Sequence, residues 1–110
     1  MKPEPQYLYL TTTGRISGRP RQIEIWFTER ERRYYLIAEN RERANWVQNI
    51  AHHPQISFRV NDQEFTGTGR KVDETNEREL WRDVRALFDQ KYGWSDGLVV
   101  ELAPEALPLS

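Results

Sequence analysis

One turn near the amino terminus gathers the residue types best suited to holding an anion. Thr11–Arg21 has the sequence TTTGRISGRPR, with two glycines, four hydroxyls and three arginines. Glycines let successive backbone N–H groups converge on one anion, and arginines bind phosphate through charge-assisted hydrogen bonds. The side chains expected to contribute are Thr13, Arg15, Ser17 and Arg21. The Gly14–Arg21 turn is therefore predicted to hold an anion, such as a cofactor phosphate; the alternative is a solvated hairpin loop.

A second group of candidates lies in the segment 43–50, which reads RANWVQNI. Trp46 and Asn49 are three residues apart, so they are neighbours on one face of a helix. An indole can pack against a flat heterocycle, and an amide can hydrogen-bond its edge. The pair is therefore a candidate ring-binding site. The alternative is that Trp46 is a core or interface aromatic and Asn49 a surface polar group.

Several kinds of catalytic site are excluded by the residues present. The chain has no cysteine, which removes disulfides, thiolate metal sites and a cysteine nucleophile. His52 and His53 are adjacent and cannot form the i, i+4 pair of a helical zinc site, and no serine has a nucleophile-elbow context. No metal site is predicted. Glu24 and Glu39 are expected near the pocket, but nothing pairs them as an acid–base couple. An enzyme built on this chain would leave the chemistry to a cofactor.

The composition limits the remaining classes. The chain has 110 residues, 30% of them charged, and a net charge of −1. One domain spanning 1–110 is expected at this length. The acidic balance argues against a general nucleic-acid binder. No apolar run approaches the ~20 residues that span a bilayer, and the start lacks a signal-peptide stretch. A cytoplasmic location is expected.

The elements that must position these residues follow from hydrophobic periodicity. Alternation predicts six strands, Tyr7–Thr12, Arg21–Thr28, Arg33–Ala38, Ile56–Val60, Gln63–Val72 and Leu98–Leu102. The helical period predicts two helices, one from an N-cap at Asn40 to about His52 and one from Glu74 to Tyr92. The order β-β-β-α-β-β-α-β predicts a mainly β fold with two helices, arranged as a closed or partly closed barrel.

Details within these elements carry further expectations. Arg33–Ala38 is apolar on both faces, which is typical of a central strand. Gly67 and Gly69 share one face of their strand and indicate a bend or a close approach to the backbone. Asp73 or Asn76 is expected to cap the last helix, and Gly93 to end it.

The two candidate groups, in this order and separation, resemble the deazaflavin-dependent nitroreductase family. The first match is Leu10-Thr11-Thr12-Thr13-Gly14-Arg15-x-Ser17-Gly18-x-Pro20-Arg21. The second is Trp46-x-x-Asn49-Ile50-x-x-x-Pro54, followed directly by a strand. The likeness extends loosely through Gly67–Arg70 and the last helix to Leu102. It implies the flavin-binding split β-barrel, of the pyridoxamine-phosphate-oxidase-like type.

The resemblance also implies a function. The expected reaction is hydride transfer from reduced coenzyme F420, an 8-hydroxy-5-deazaflavin, to a small quinone- or nitro-type acceptor, in a homodimer. Flavin mononucleotide is the alternative cofactor, and a non-enzymatic flavin- or deazaflavin-binding protein is the alternative function. Arg15 and Arg21 would belong to the phosphate groove, Ser17 would shape its loop, and Trp46 and Asn49 would lie beside the cofactor. From the residues alone, a tyrosine that faces the pocket could donate a proton, and the candidates are Tyr7, Tyr9, Tyr34 and Tyr35.

The chain departs from the family pattern at defined positions. Ile16 stands where many members carry a second basic residue, and Glu24 stands where they have a proline. Arg41 or Arg43 would take the place of a lysine in the loop before Trp46. The amino-terminal helix that covers the substrate in some members is not expected here.

Overall fold

Seven strands and two α-helices make up the part of the chain that a computed structural model describes, residues 6–105. The strands are β1 (Tyr7–Thr13), β2 (Pro20–Trp26), β3 (Thr28–Arg30), β4 (Arg33–Ala38), β5 (Gln55–Val60), β6 (Gln63–Lys71) and β7 (Leu98–Pro104). The helices are α1 (Asn45–His52) and α2 (Arg78–Tyr92), and a single 3-10 turn, Arg41–Arg43, precedes α1. The predicted mainly β fold with two helices is confirmed. The predicted single domain, 1–110, extends beyond the described residues.

The strands form one antiparallel sheet in the order β2-β1-β5-β6-β7-β4-β3. Sequence reasoning predicted one strand where β2 and β3 lie, and the structure divides it at Phe27. The division has a physical reason: Phe27 and Thr28 are both buried, which breaks the alternation that Ile23 and Ile25 maintain. Because β2 and β3 end the strand order at opposite edges, this bent segment brings the two edges towards each other. The result is a partly closed barrel, as predicted.

The barrel interior is filled by the inward residues of the strands. Leu8 and Leu10 of β1 are completely buried there, together with Leu36 of β4. β4 is buried on both faces, because Tyr35 and Ile37 point outward and are covered by α2. Its two-sided apolar pattern therefore reflects a helix on one face. β4 lies between β7 and the short edge strand β3.

The start of α1 differs from the prediction. Asn40 makes no side-chain capping hydrogen bond, and Arg41 has a φ of +52°. Ala44 is extended, with a ψ of 132°, so the helix begins only at Asn45. The cause is the left-handed conformation at Arg41, through which an α-helix cannot continue.

The last helix ends where it was predicted to end, but it starts later than predicted. Gly93, with a φ of +71°, ends α2 as predicted. Asp73 Oδ1 accepts hydrogen bonds from the N–H groups of Thr75 and Asn76, so it closes a turn before the helix. The helix α2 starts at Arg78 and not at Glu74, and its N-cap residue is Glu77, so the prediction of Asp73 or Asn76 as the cap is wrong. A Cβ on Gly69 would lie 3.1 Å from Ile50 Cδ1 of α1; the predicted close approach at this glycine is confirmed. Neither described helix is long and apolar enough to cross a membrane.

Candidate functional site

The connection between β1 and β2 is a closed loop built around its two glycines. The Gly14 N–H donates to Arg19 O, and the Gly18 N–H donates to Gly14 O, both at 2.8 Å. Ser17 Oγ accepts from the Arg19 N–H at 3.1 Å. A Cβ on Gly14 would lie 2.7 Å from Ser17 Oγ, and Gly18 has a φ of +72°. Both positions therefore favour glycine. Ser17 shapes the loop because its hydroxyl oxygen accepts the Arg19 N–H.

Asn49 ties this loop to α1 and to β1. It is 4% exposed. Its Oδ1 accepts from the Arg15 N–H at 3.1 Å and from Arg15 Nη1 at 3.0 Å. Its Nδ2 donates to Thr12 Oγ1 at 3.1 Å. The amide of Asn49 is therefore occupied by protein groups, and it sets the position of the Arg15 backbone and side chain.

A groove of about 770 Å³ lies against this loop. Five of the seven predicted site residues line it, namely Arg15, Ser17, Arg21, Trp46 and Asn49. We call this space the arginine groove. Thr13 is not among its lining residues, because β1 alternates and Thr12 takes the groove-facing position. Arg43 lies in the 3-10 turn outside the groove, where its carbonyl accepts from Gln48 Nε2 at 3.4 Å.

The positive charge of the groove is not neutralised by nearby acids. Within residues 6–105, no carboxylate forms an ion pair with Arg15, Arg19 or Arg21. The side-chain partners of Arg15 are the uncharged oxygens of Asn45 and Asn49. The N–H groups of both loop glycines bond within the loop, so the charged donors available to an anion in this groove are the arginine side chains.

Trp46 also borders a second space of about 580 Å³. We call this the aromatic cleft, because Tyr7, Trp26, Trp46 and Trp94 line it together with Glu24 and Glu39. The Trp26 ring stacks on Tyr92, with centroids 4.3 Å apart and planes at 1°. Sequence reasoning missed Trp26 and Trp94 as site residues. The available signal was the outward position of Trp26 in an alternating strand, where it pairs with Tyr7.

The four tyrosines considered as proton donors occupy different places. Tyr34 is buried in the barrel interior, and the Tyr35 hydroxyl donates to Glu101 Oε2 at 2.9 Å. Tyr9 lies opposite Glu24 in the β1–β2 register, and a hydrogen bond to that carboxylate raises the pKa of Tyr9. Of the four, Tyr7 is the one that lines the aromatic cleft.

A larger space of about 1040 Å³ lies elsewhere, between the start of β1, β3, the β5–β6 turn and α2. None of the seven predicted site residues lines it. Size alone does not identify a binding site. The arginine groove is the better candidate because it combines unneutralised cations with an adjoining aromatic wall.

Solved structures with the same fold place this architecture in the split β-barrel class. The heme storage protein HutZ of Vibrio cholerae superimposes with a TM-score of 0.75 at 21% identity, over 94% of this chain and 84% of HutZ. An F420-H2 dependent reductase, FDR-A, matches with a TM-score of 0.66 at 18% identity, over 93% and 97%. A putative pyridoxamine 5'-phosphate oxidase of Listeria innocua matches at 0.66 and 14%, over 92% and 85%. The TM-scores show a shared fold, and the predicted split barrel is confirmed.

The family follows from the sequence itself. The model of the F420H(2)-dependent quinone reductase family matches residues 1–96. The chain therefore belongs to this family. It is a deazaflavin-dependent oxidoreductase with F420 as its cofactor. No match is found among curated proteins.

Proposed function

We propose that this protein transfers hydride from reduced F420 to a small quinone- or nitro-type acceptor, with the arginine groove holding the cofactor phosphate. The observation that carries the proposal is the unneutralised charge of Arg15 and Arg21 beside Trp46. The residues present fit the cofactor, because a phosphate needs cationic donors and a tricyclic ring needs a flat apolar neighbour. When bound, the deazaflavin supplies the hydride.

Each groove residue has a defined task in this proposal. Arg15 and Arg21 bind the phosphate, and Ser17 keeps the loop closed between them. Trp46 lines both spaces, so it packs along the ring where the ring extends from the arginine groove into the aromatic cleft and meets the acceptor. Asn49 acts as a positioning residue, because its amide holds the backbone and guanidinium of Arg15. Thr13 and Arg43 lie outside the groove and have no part in this assignment.

The test is cofactor affinity in arginine variants. Arg21→Ala is the sharper variant, because no hydrogen bond of the Arg21 side chain to another described residue is lost. Losing one charge-assisted contact costs about 1.5–3 kcal/mol, so the Kd for F420 rises about 10- to 150-fold in Arg15→Ala and in Arg21→Ala. Arg19→Ala is the matched control, since it removes the same charge from the same loop outside the groove lining. Fluorescence titration measures the affinities.

Two outcomes contradict the phosphate role. One is unchanged affinity in both groove variants, and the other is an equal loss in Arg19→Ala. Parallel titration with flavin mononucleotide distinguishes the two cofactors, and we expect F420 to bind more tightly. Oxidation of reduced F420 by 1,4-naphthoquinone and by a nitroimidazole identifies the acceptor type. Binding of reduced F420 without turnover on either compound favours the non-enzymatic alternative. The homodimer and the cytoplasmic location stay predictions.

A further inference from the structure

The aromatic cleft has a distribution of charge that differs from that of the arginine groove beside it. Its charged side chains are two carboxylates, Glu24 and Glu39, and no lysine or arginine is among the described residues that line it. Its other walls include three tryptophans, Trp26, Trp46 and Trp94. The two spaces share Trp46 and differ in charge, because arginines line the arginine groove and carboxylates line the aromatic cleft.

The two carboxylates reach the cleft from different strands. Glu24 belongs to β2, and Glu39 directly follows β4. Neither forms an ion pair within residues 6–105. Glu24 accepts a hydrogen bond from the neutral phenol of Tyr9. The Arg59 guanidinium lies 4.6 Å from the centroid of the Tyr9 ring, outside the lining of the aromatic cleft, and forms no ion pair with Glu24 within residues 6–105. Both side chains thus add negative potential to the same space.

We propose that the aromatic cleft selects planar acceptors that are uncharged or cationic and rejects anionic ones. This inference rests on the proposed function, because it names the acceptor class of that site. Tryptophan faces attract flat rings, and they also attract cations. A carboxylated or sulfonated ring would bring its charge close to two unpaired carboxylates, and such repulsion is a common source of specificity.

The arrangement also separates the two ligands of a hydride transfer. An anionic phosphate is favoured in the arginine groove and disfavoured in the aromatic cleft. An uncharged acceptor has no such preference for the arginines and gains its contacts from the three indoles. Charge thus directs the phosphate-bearing end of the cofactor away from the acceptor position.

The experiment compares three forms of one ring system: a neutral form, an anionic form and a cationic form. The probes are 1,4-naphthoquinone, its anionic 2-sulfonate and its cationic 2-(trimethylammonio)methyl derivative. Their affinities are measured by quenching of tryptophan fluorescence in the protein without cofactor. We expect the sulfonate to bind about tenfold more weakly than the neutral quinone at low salt, because each like-charge pair across several ångströms of partly hydrated space is unfavourable. About 0.5 M salt should reduce the difference, since exposed charges are screened.

Substitution assigns the effect to the two carboxylates. In Glu24→Gln/Glu39→Gln, we expect the sulfonate to bind within about twofold of the neutral ring, since both repulsive charges are gone. Glu79→Gln is the matched control, because Glu79 is an exposed carboxylate on α2 outside the aromatic cleft. It should preserve the wild-type discrimination.

The proposal is overturned if wild-type protein binds the sulfonate as tightly as the neutral quinone, or if Glu79→Gln removes the discrimination as fully as the double variant does. These measurements need no F420, so they are independent of cofactor binding. If the wild-type protein discriminates between the charged quinones but does not oxidise reduced F420, the proposed function alone is contradicted. If the wild-type protein oxidises reduced F420 but binds the sulfonate and the neutral quinone equally well, only the present inference is contradicted.

Discussion

Asn49 shows how a single side chain can organise the residues around a groove. Its amide joins the buried Thr12 hydroxyl to the backbone and guanidinium of Arg15. Asn49→Ala should therefore lower the free energy of unfolding by about 1–3 kcal/mol, because it leaves the Thr12 hydroxyl and the Arg15 N–H without this partner. Urea denaturation measures the change.

A double-mutant cycle identifies the Thr12–Asn49 bond as one source of that loss. Thr12→Val removes the hydroxyl at nearly constant volume, so we expect the free-energy changes of Thr12→Val and Asn49→Ala to be less than additive in the double variant. Fully additive changes would show that the bond contributes nothing. The F420 affinity of Asn49→Ala should also fall, because Arg15 loses the oxygen that fixes its guanidinium.

Spacing alone could not have revealed this role of Asn49. The three-residue separation from Trp46 predicted that both residues lie beside a cofactor. The structure places both at the arginine groove, and the cofactor contact of the amide stays a prediction. Arg15 and Asn49 are 34 residues apart, so their contact depends on how α1 packs against β1. Thr13 illustrates the same limit, since a shift of one position in β1 decides which threonine faces the groove.

At the scale of elements, ion pairs of Arg70 connect the start of α2 to the sheet. Arg70 of β6 binds Glu77 through Nη1 at 2.8 Å and Nη2 at 2.7 Å, and its Nε donates to the buried Glu101 at 3.0 Å. The hydrogen bonds from Arg70 lower the pKa of Glu77 from 4.5 to about 2. A carboxyl whose pKa is lowered by folding contributes stability that is present above its unfolded pKa and lost as the pH falls through its folded pKa.

The Glu77 contribution should therefore disappear between about pH 4.5 and pH 2. The difference in urea midpoint between wild type and Glu77→Gln should be largest near neutral pH and shrink across that window. Glu79→Gln changes the same charge in the first turn of α2 without this partner, so its difference from wild type should stay small. A Glu77→Gln difference that is independent of pH would contradict the assignment.

The elements themselves were largely predictable, and the exceptions have local causes. Alternation located the strands because one face of each packs in the barrel. It failed at Phe27, where two buried residues in succession bend the chain between sheet edges. Asn40 was a wrong choice of helix cap, because the positive φ of Arg41 depends on the path of the whole loop.

At the scale of the molecule, the barrel depends on how closely β6 and β7 approach. Gly67 and Gly69 lie in the same strand, and their sequence pattern does not distinguish them. A Cβ on Gly67 would overlap Ala103 O and lie 2.9 Å from Ala103 C, both backbone atoms of β7. A Cβ on Gly69 would meet only the Ile50 side chain among its nearest neighbours, at 3.1 Å and beyond.

This difference makes the two glycines a matched pair for testing closure. Backbone atoms cannot move aside without breaking the β6–β7 ladder, so Gly67→Ala should lower the free energy of unfolding by about 3 kcal/mol or more, the upper end of overpacking effects. Gly69→Ala should lower it by about 1 kcal/mol, because a side chain can adjust. Chemical denaturation compares the two, and equal losses would contradict a backbone origin. Ile50 belongs to α1, which also carries Trp46 and Asn49. For the same loss of stability, Gly69→Ala should therefore weaken F420 binding more than Gly67→Ala does.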